Sequence, residues 1–276
     1  MKPTIPSKKI NFKILCSDID GTLLSTKSDV SNFTVEQIQR IRHHIRVILV
    51  SARMPQGITY LQERLGAEKE PIICYNGALI MEGKKEILSR TMPLEFVEGI
   101  YRTTKNNNIK LGLYHKKEWY VETDSERVQK EIRYTKTVPV FRKTITTLSD
   151  WEKRSISAHK IMLMGAKEAV DNIFPVLIKE FGTQLHVYRS NDTLIEVSPK
   201  SVSKLSAIQL LLQPGLSLKE VIAFGDNYND MEMIQSVGYG VAMGNARKEV
   251  KAIAQDIALK NTEDGLAHWI QQNLIF

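Results

Sequence analysis

Cysteine is nearly absent: the 276-residue chain has two, Cys16 and Cys74. Two thiols cannot build a disulfide framework or a cysteine-rich metal site. Both lie in apolar strand-like runs, where a reduced thiol packs as a small hydrophobe, and a cytoplasmic location is the expectation that follows. Long apolar runs are missing too. None approaches the roughly 20 residues that a membrane-spanning helix needs. Met1-Lys2-Pro3-Thr4-Ile5-Pro6 has no apolar signal core and reads as a short polar arm. The six histidines show no ligand spacing, and His43-His44 is expected at the surface. No internal repeat, low-complexity tract or RNA- or DNA-binding motif is present. Neither membrane nor nucleic acid is therefore expected as a partner, and the oligomeric state is not legible.

Charge is biased. Lys and Arg number 38 against 31 Asp and Glu, a net charge of +7. Residues 82–192 hold 20 basic against 15 acidic side chains, and the remainder 18 against 16. That excess could draw in anionic substrates, but the charges are scattered as on an ordinary solvated surface.

Two acidic clusters stand out from this background. Asp18-Ile19-Asp20-Gly21-Thr22 follows the apolar run Phe12–Cys16. In a strand, residues two apart point the same way, so both carboxylates can aim into one cleft at the carboxyl end of a strand, where open α/β sheets place their sites. The bland alternative is a strand end followed by an Asp-Gly turn. Asp226-Asn227-Tyr228-Asn229-Asp230 follows a second apolar run, Val221–Gly225. Its oxygens suit Mg²⁺, which takes one or two carboxylates plus water and substrate oxygens, although Asp and Asn also cap helices. Between the clusters, Ser51 ends the run Val47–Val50, where a hydroxyl with neighbouring N–H groups can bind phosphate. Lys204, after the strand-like Leu194–Val197, is a compact cation able to neutralise it.

The order acidic pair, Ser51, Lys204, acidic cluster resembles the haloacid dehalogenase superfamily in all four of its motifs. The spacing is similar to the Cof-type (type IIB cap) phosphatases, and Asn76-Gly77-Ala78 also resembles a segment common in that group. One departure is visible: Ser51-Ala52-Arg53 stands where such proteins usually have Thr-Gly-Arg. The hydroxyl is kept, while alanine for glycine restricts the turn slightly. The resemblance implies a Rossmann-like core of residues 1–81 and 193–276, interrupted by an inserted cap domain over 82–192.

Periodicity agrees with a doubly wound parallel α/β core. Helices are expected over 32–43, 54–65, 201–212, 246–254 and 264–272, with strands over 45–50 and 238–243. The insert reads as α+β, with helices over 94–106, 125–135 and 167–181, a hairpin over 110–122, and strands over 160–164 and 184–188.

The resemblance assigns Asp18, Asp20, Ser51 and Lys204 to catalysis. It assigns Gly21, Thr22, Ser51, Ala52, Arg53, Asn76, Lys204 and Asn229 to substrate binding, and Asp18, Asp20 (through its carbonyl) and Asp226 to Mg²⁺. Asp18 would attack phosphorus to form an aspartyl-phosphate. A carboxylate with an ordinary pKa near ~3.9 is already ionised at neutral pH and needs no activating base. Asp20 would serve as general acid and then base. Asn229 and Asp230 would hold metal-bound water or orient Lys204. An ionised Asp18 meeting a phosphate dianion at 4 Å faces roughly 8 kcal/mol of repulsion at an effective dielectric near 20, which Mg²⁺ and Lys204 would cancel.

The insert is expected to close over the phosphate site and choose the leaving group. Tyr114, His115, Trp119, Tyr120, Tyr188 and Arg189 are candidates for that choice, although packing accounts for most of them. The reading is a Mg²⁺-dependent phosphatase of small phosphorylated metabolites, sugar phosphates among them. The alternatives are a phosphotransferase or phosphomutase of the same superfamily, and a non-catalytic anion- or nucleic-acid-binding protein.

Overall fold

The computed structural model describes residues 12–26 and 28–275, so the arm at Met1–Pro6 lies outside the described residues. The chain divides into two compact units. One comprises the described residues up to Arg53, Ile58–Glu86, and those from Ser203 on; the other comprises Met54–Gly57 and Ile87–Val202.

The chain starts with β1 (Ile14–Ser17), α1 (Asn32–Ile41), β2 (Arg46–Val50), α2 (Gln56–Leu65), β3 (Ile72–Cys74), β4 (Leu79–Glu82) and β5 (Lys85–Ser89). The middle stretch carries α3 (Leu94–Thr104), β6 (Lys110–His115), β7 (Glu118–Val121), α4 (Glu126–Thr135), β8 (Val140–Phe141), α5 (Thr144–Lys153), β9 (Lys160–Met164), α6 (Lys167–Phe181), β10 (Leu185–Asn191) and β11 (Leu194–Pro199). The chain then returns through α7 (Lys204–Leu210), β12 (Val221–Gly225), α8 (Met231–Ser236), β13 (Tyr239–Ala242), α9 (Lys248–Ile253), β14 (Asp256–Ile257) and α10 (Gly265–Asn273).

The first unit is built on one sheet, ordered β14-β13-β12-β1-β2-β3-β4-β5. Pairing is parallel from β14 to β3 and turns antiparallel at β4. From central β1 the chain steps outward one way through β2 and β3, and later the other way through β13 and β14. Right-handed crossovers in opposite directions put helices on opposite faces of the sheet, which makes the core doubly wound. Strands covered on both faces must be apolar throughout. Ile14, Leu15 and Cys16 are accordingly fully buried, as are Ile222, Ala223 and Phe224. α1 is amphipathic, burying Ile38 and Ile41, and its first turn is capped by Ser31 Oγ, which accepts from the Thr34 N–H at 3.0 Å.

The second unit is α+β. Its sheet runs β10-β11-β9-β6-β7-β8 and is antiparallel except between β7 and β8. Alternate residues, Leu111 and Leu113, Ile161 and Leu163, Ile195 and Val197, face a core shared with Val97 and Ile100 of α3, Trp151 of α5, and Val170 and Leu177 of α6. α5 was not expected, because Thr144-Ile145-Thr146-Thr147 is β-branched and weakly periodic. Its start is secured by Glu122, whose carboxylate accepts from the Thr144 N–H at 2.7 Å. The expected insert boundary at 192 also differs from the division at Ser203. Leu185 pairs with Pro199, so β11 belongs to the six-stranded sheet rather than to the core.

Most of the aromatic residues weighed as selectivity candidates serve packing in this unit. Tyr114 and Trp119 are buried and stack with centroids 5.4 Å apart. Tyr120 lies in the core, Tyr188 donates to Glu196, and Arg189 pairs with Asp171 and Asp192. His115 Nδ1 bonds the Ser157 carbonyl at 2.6 Å. Its neighbour His159 is fully buried. The Lys116 N–H donates to His159 Nδ1 at 3.3 Å, so Nε2 carries the proton and donates to Ser89 Oγ at 2.9 Å. Burial, then the nearby His115 and Lys116, push the His159 pKa down to about 3.

A depressed histidine pKa makes stability acid-sensitive. Between pH 6.5 and 3 the unfolded chain binds the proton and the folded one does not, so stability falls as pH falls, by at most about 1.4 kcal/mol per pH unit. The urea midpoint is expected to drop over that window by tryptophan fluorescence, and a His159→Gln variant should show a flatter profile. An unchanged slope in the variant would remove His159 as the cause.

Candidate active site

Strand register brings the acidic clusters together. Ser17 lies opposite Phe224 in the parallel pair β1–β12, and the Asp18 N–H donates to the Phe224 carbonyl at 3.0 Å. Asp18 and Asp226 therefore leave the sheet at neighbouring strand ends. One carboxylate oxygen from each of Asp18, Asp226 and Asp230 lies within 4.8 Å of the others. Asp20 does not join them. β1 stops at Ser17, and Ile19–Leu23 is a wide turn with non-helical backbone at Asp20 and Gly21, so the strand alternation expected for the pair does not hold. The Asp20 carboxylate is exposed and takes two hydrogen bonds from Arg53, at 2.8 and 2.7 Å. That leaves its backbone carbonyl as the donor the resemblance assigned to the metal.

Gly21 is what lets this turn pass the second cluster. Its φ is +82°, and a Cβ there would press into the Asp226 carboxylate. Thr22 Oγ1 donates to Asp226 Oδ1 at 3.5 Å. Asn245, just past β13, donates to the Gly21 carbonyl at 2.8 Å and to Asp226 Oδ2 at 3.4 Å. Asn245 was not singled out from the sequence, although its place at the end of a parallel strand was a usable signal.

Lys204 arrives as the first residue of α7, whose start is fixed by reciprocal bonds between Ser203 and Ser206. Its ammonium is 1% exposed and donates at 2.6 Å to both Asp18 Oδ1 and Asp230 Oδ1. Asp230 is fully buried, and its other oxygen accepts the N–H groups of Asp226 and Asn227 at 3.0 Å each. Asp230 thus orients Lys204 and shapes the loop that carries Asp226. Asn229 instead donates to Asn76 at 3.1 Å.

Asn76 sits in a left-handed turn with φ +55°. Next to it, Gly77 has φ +106°, and a Cβ there would strike the Ser203 carbonyl, so this close approach of the turn to the start of α7 requires glycine. Ser51 is buried at the end of β2, and its Oγ accepts from the Arg53 N–H at 3.2 Å. Ala52 has a negative φ, so its Cβ brings no left-handed strain to the turn. The third face of the Arg53 guanidinium meets Tyr60, whose hydroxyl accepts at 3.1 Å and donates to the Ser28 carbonyl at 2.8 Å.

The electrostatics are unbalanced. Three carboxylates crowd one ammonium, and two ionised carboxylates about 4 Å apart would repel by about 4 kcal/mol at an effective dielectric near 20. Burial, only partly offset by Lys204, drives the Asp18 pKa well above the usual carboxylate range, with Asp230 and Asp226 adding to the rise. Asp226 is pushed up to about 7, by burial first and then Asp230. Burial alone would lower the Lys204 pKa, but Asp18 and Asp230 outweigh it and raise it. Fully ionised, the cluster would carry two uncompensated negative charges, all on hard oxygens, which is the donor set a divalent ion such as Mg²⁺ takes.

The chain belongs to the haloacid dehalogenase-like hydrolases: the model of that family matches residues 15–270. It is 33% identical over 263 residues to a putative phosphatase of Haemophilus influenzae, a match covering 93% of this chain and 96% of that protein. The pyridoxal phosphate phosphatase YbhA of Escherichia coli is 26% identical over 274 residues, covering 95% and 99%. A haloacid dehalogenase-like hydrolase from Bacteroides thetaiotaomicron superposes with a TM-score of 0.85 at 31% identity, covering 95% of this chain and 99% of that one. No helix among the described residues is long and apolar enough to cross a membrane.

Proposed function

We propose that the chain is a Mg²⁺-dependent phosphatase of small phosphorylated metabolites, sugar phosphates among them, working through an aspartyl-phosphate in a cytoplasmic setting. The observation that carries this reading is the buried cluster in which Lys204 joins Asp18 to Asp230 beside Asp226. The names of its relatives, phosphatases in most cases, support it. The unit that carries Asp18, Lys204 and Asp226 would supply the chemistry and the unit that includes Ile87–Val202 the substrate choice.

Asp18, Asp226 and the Asp20 carbonyl would hold Mg²⁺, with Asp230 behind them. A divalent ion there would supply positive charge to offset the ionised carboxylates and to polarise the phosphoryl group. Lys204 engages Asp18 Oδ1, while Oδ2 has no hydrogen-bond partner among the described residues. Oδ2 is therefore the oxygen we assign to attack. It forms a bond to phosphorus as the ester P–O bond breaks, and Asp20, having taken a proton from solvent on leaving Arg53, gives it to the leaving oxygen. Asp20 then takes a proton from water, whose oxygen attacks phosphorus. The bond to Asp18 breaks, releasing phosphate and restoring the carboxylate. Ser51, Thr22, Asn76, Asn229 and Lys204 would bind phosphoryl oxygens with the Gly21 and Ala52 backbone. Arg53 holds both Asp20 oxygens at rest, so proton transfer requires Asp20 to turn from that pair toward the leaving oxygen.

Chelation tests the metal. EDTA is expected to abolish hydrolysis of p-nitrophenyl phosphate, and Mg²⁺ to restore it. Mg²⁺ should also raise the Tm of the wild-type chain, because binding only the folded state stabilises it. Asp226→Asn, which removes one of the crowded charges, should lose that rise. Full turnover after thorough chelation would sink the metal assignment.

The Arg53–Tyr60 bond gives a smaller effect. A hydrogen bond to a charged group contributes about 1.5–3 kcal/mol at most. Tyr60→Phe is expected to lower kcat severalfold with KM nearly constant, through looser placement of Arg53 and Asp20. A rise in KM alone would show that Tyr60 acts on binding instead.

A further inference from the structure

Beside the acidic cluster, the first unit has a cavity of about 570 Å³, bounded by Asp226–Tyr228 on one loop and Asn245–Glu249 on another. Asp226 belongs to both, so the cavity adjoins the place where a phosphoryl group would sit. The mechanism leaves its basic residues unused. Arg247 is exposed, and its guanidinium carbon lies 5.4 Å from the centre of the Tyr228 ring. Its N–H donates to the Asp226 carbonyl at 3.0 Å, which ties its backbone to the acidic loop. Neither Arg247 nor Lys248 pairs with a carboxylate among the described residues.

A guanidinium laid against an aromatic face loses little freedom on binding and presents its planar N–H edge. That edge suits a carboxylate or phosphate, which takes two parallel hydrogen bonds. Glu249 and Asp226 oppose such a ligand and balance Arg247 and Lys248 in formal charge; in the phosphatase reading Asp226 is taken up by the cation, which leaves the lining net positive. We propose that this cavity is a second anion subsite, and that the preferred substrates are phosphomonoesters with a further anionic group, which Arg247 binds while the scissile phosphoryl faces Asp18. The inference rests on the phosphatase reading for the position of the phosphoryl group.

The test compares glucose 6-phosphate with 6-phosphogluconate, which adds a carboxylate, and with glucose 1,6-bisphosphate, which adds a phosphate. Two ratios are measured: kcat/KM in the wild-type chain and in variants at 247 and 249, and Kd by calorimetry in an Asp18→Asn background where nothing is consumed. The wild-type chain is expected to favour at least one doubly anionic compound. Arg247→Ala should cut that preference at least threefold, Arg247→Lys less, and Glu249→Gln should increase it. Raised salt should erode the preference in the wild type and have little effect in Arg247→Ala. Whichever added group responds identifies the ligand as carboxylate or phosphate. Absence of a preference in the wild type, or a preference that Arg247→Ala leaves intact, overturns the subsite. A calorimetric preference that Arg247→Ala removes, in a chain that releases phosphate neither from the three nor from p-nitrophenyl phosphate, would uphold the subsite and reject the phosphatase reading.

Discussion

Asp18→Asn is expected to lower kcat by about 10⁴- to 10⁶-fold, the range seen when a nucleophile is removed from a cooperating catalytic group, while the chain stays folded. An amide lacks the anionic oxygen that bonds to phosphorus. The change also keeps an acceptor at Oδ1 for the 2.6 Å bond from Lys204. It removes one of three crowded carboxylates, so the metal-free variant should unfold no earlier than the wild type. Measurement of phosphate release beside a melting curve separates the two effects. A folded variant that hydrolyses p-nitrophenyl phosphate at a tenth of the wild-type rate would reject Asp18 as nucleophile.

Lys204→Met is expected to produce the largest loss of stability at the site. Removing one partner of a buried ion pair typically costs 3–5 kcal/mol, because the other charge is left unmatched. Here two are left, on Asp18 and Asp230, with Asp226 beside them. The deficit should depend on pH in a definite direction. Asp18 and Asp226 already have raised pKa values, and losing the ammonium raises them further. A folded-state pKa above the unfolded one means that stability is lost as pH rises through it. In EDTA, the urea midpoint of Lys204→Met should therefore fall further below the wild type at pH 8 than at pH 5. Adding Asp230→Asn should recover part of the stability and none of the turnover. Equal deficits at the two pH values would show that lost packing, not charge, is the cause.

Much of the site was legible because its residues stand at the ends of short apolar runs. Asp18, Ser51 and Asp226 each follow a buried strand, and a parallel sheet aligns those ends. Strand periodicity did less well past the last paired residue. It put Asp20 beside Asp18, whereas the turn over Ile19–Leu23 sends the Asp20 carboxylate to Arg53. Asn245 and Tyr60 were missed because their parts depend on partners far along the chain, Gly21 and Ser28, that no local pattern links. Asp230 was expected near Lys204, but its hold on the N–H groups of Asp226 and Asn227 is visible only in three dimensions. In the second unit, the helix over 167–181 was read to the residue from its apolar spacing. The strand-like run at 194–197 fell within the expected core bounds, whereas β11 pairs in the six-stranded sheet, since an apolar run does not say which neighbour it pairs with.

The place of β1 in the sheet sets a difficulty for synthesis. It leaves the ribosome well before one of its two neighbours, β12, which pairs Val221 with Ile14 and is translated some two hundred residues later. Contacts so distant in sequence close slowly. Until then a fully buried, mostly apolar strand has one open edge, the kind of surface that seeds association between unfinished chains. A nascent chain halted before residue 221 should therefore depend on a holding chaperone, and a circular permutant that begins within the 212–217 loop, so that β12 is made before β1, should need it less.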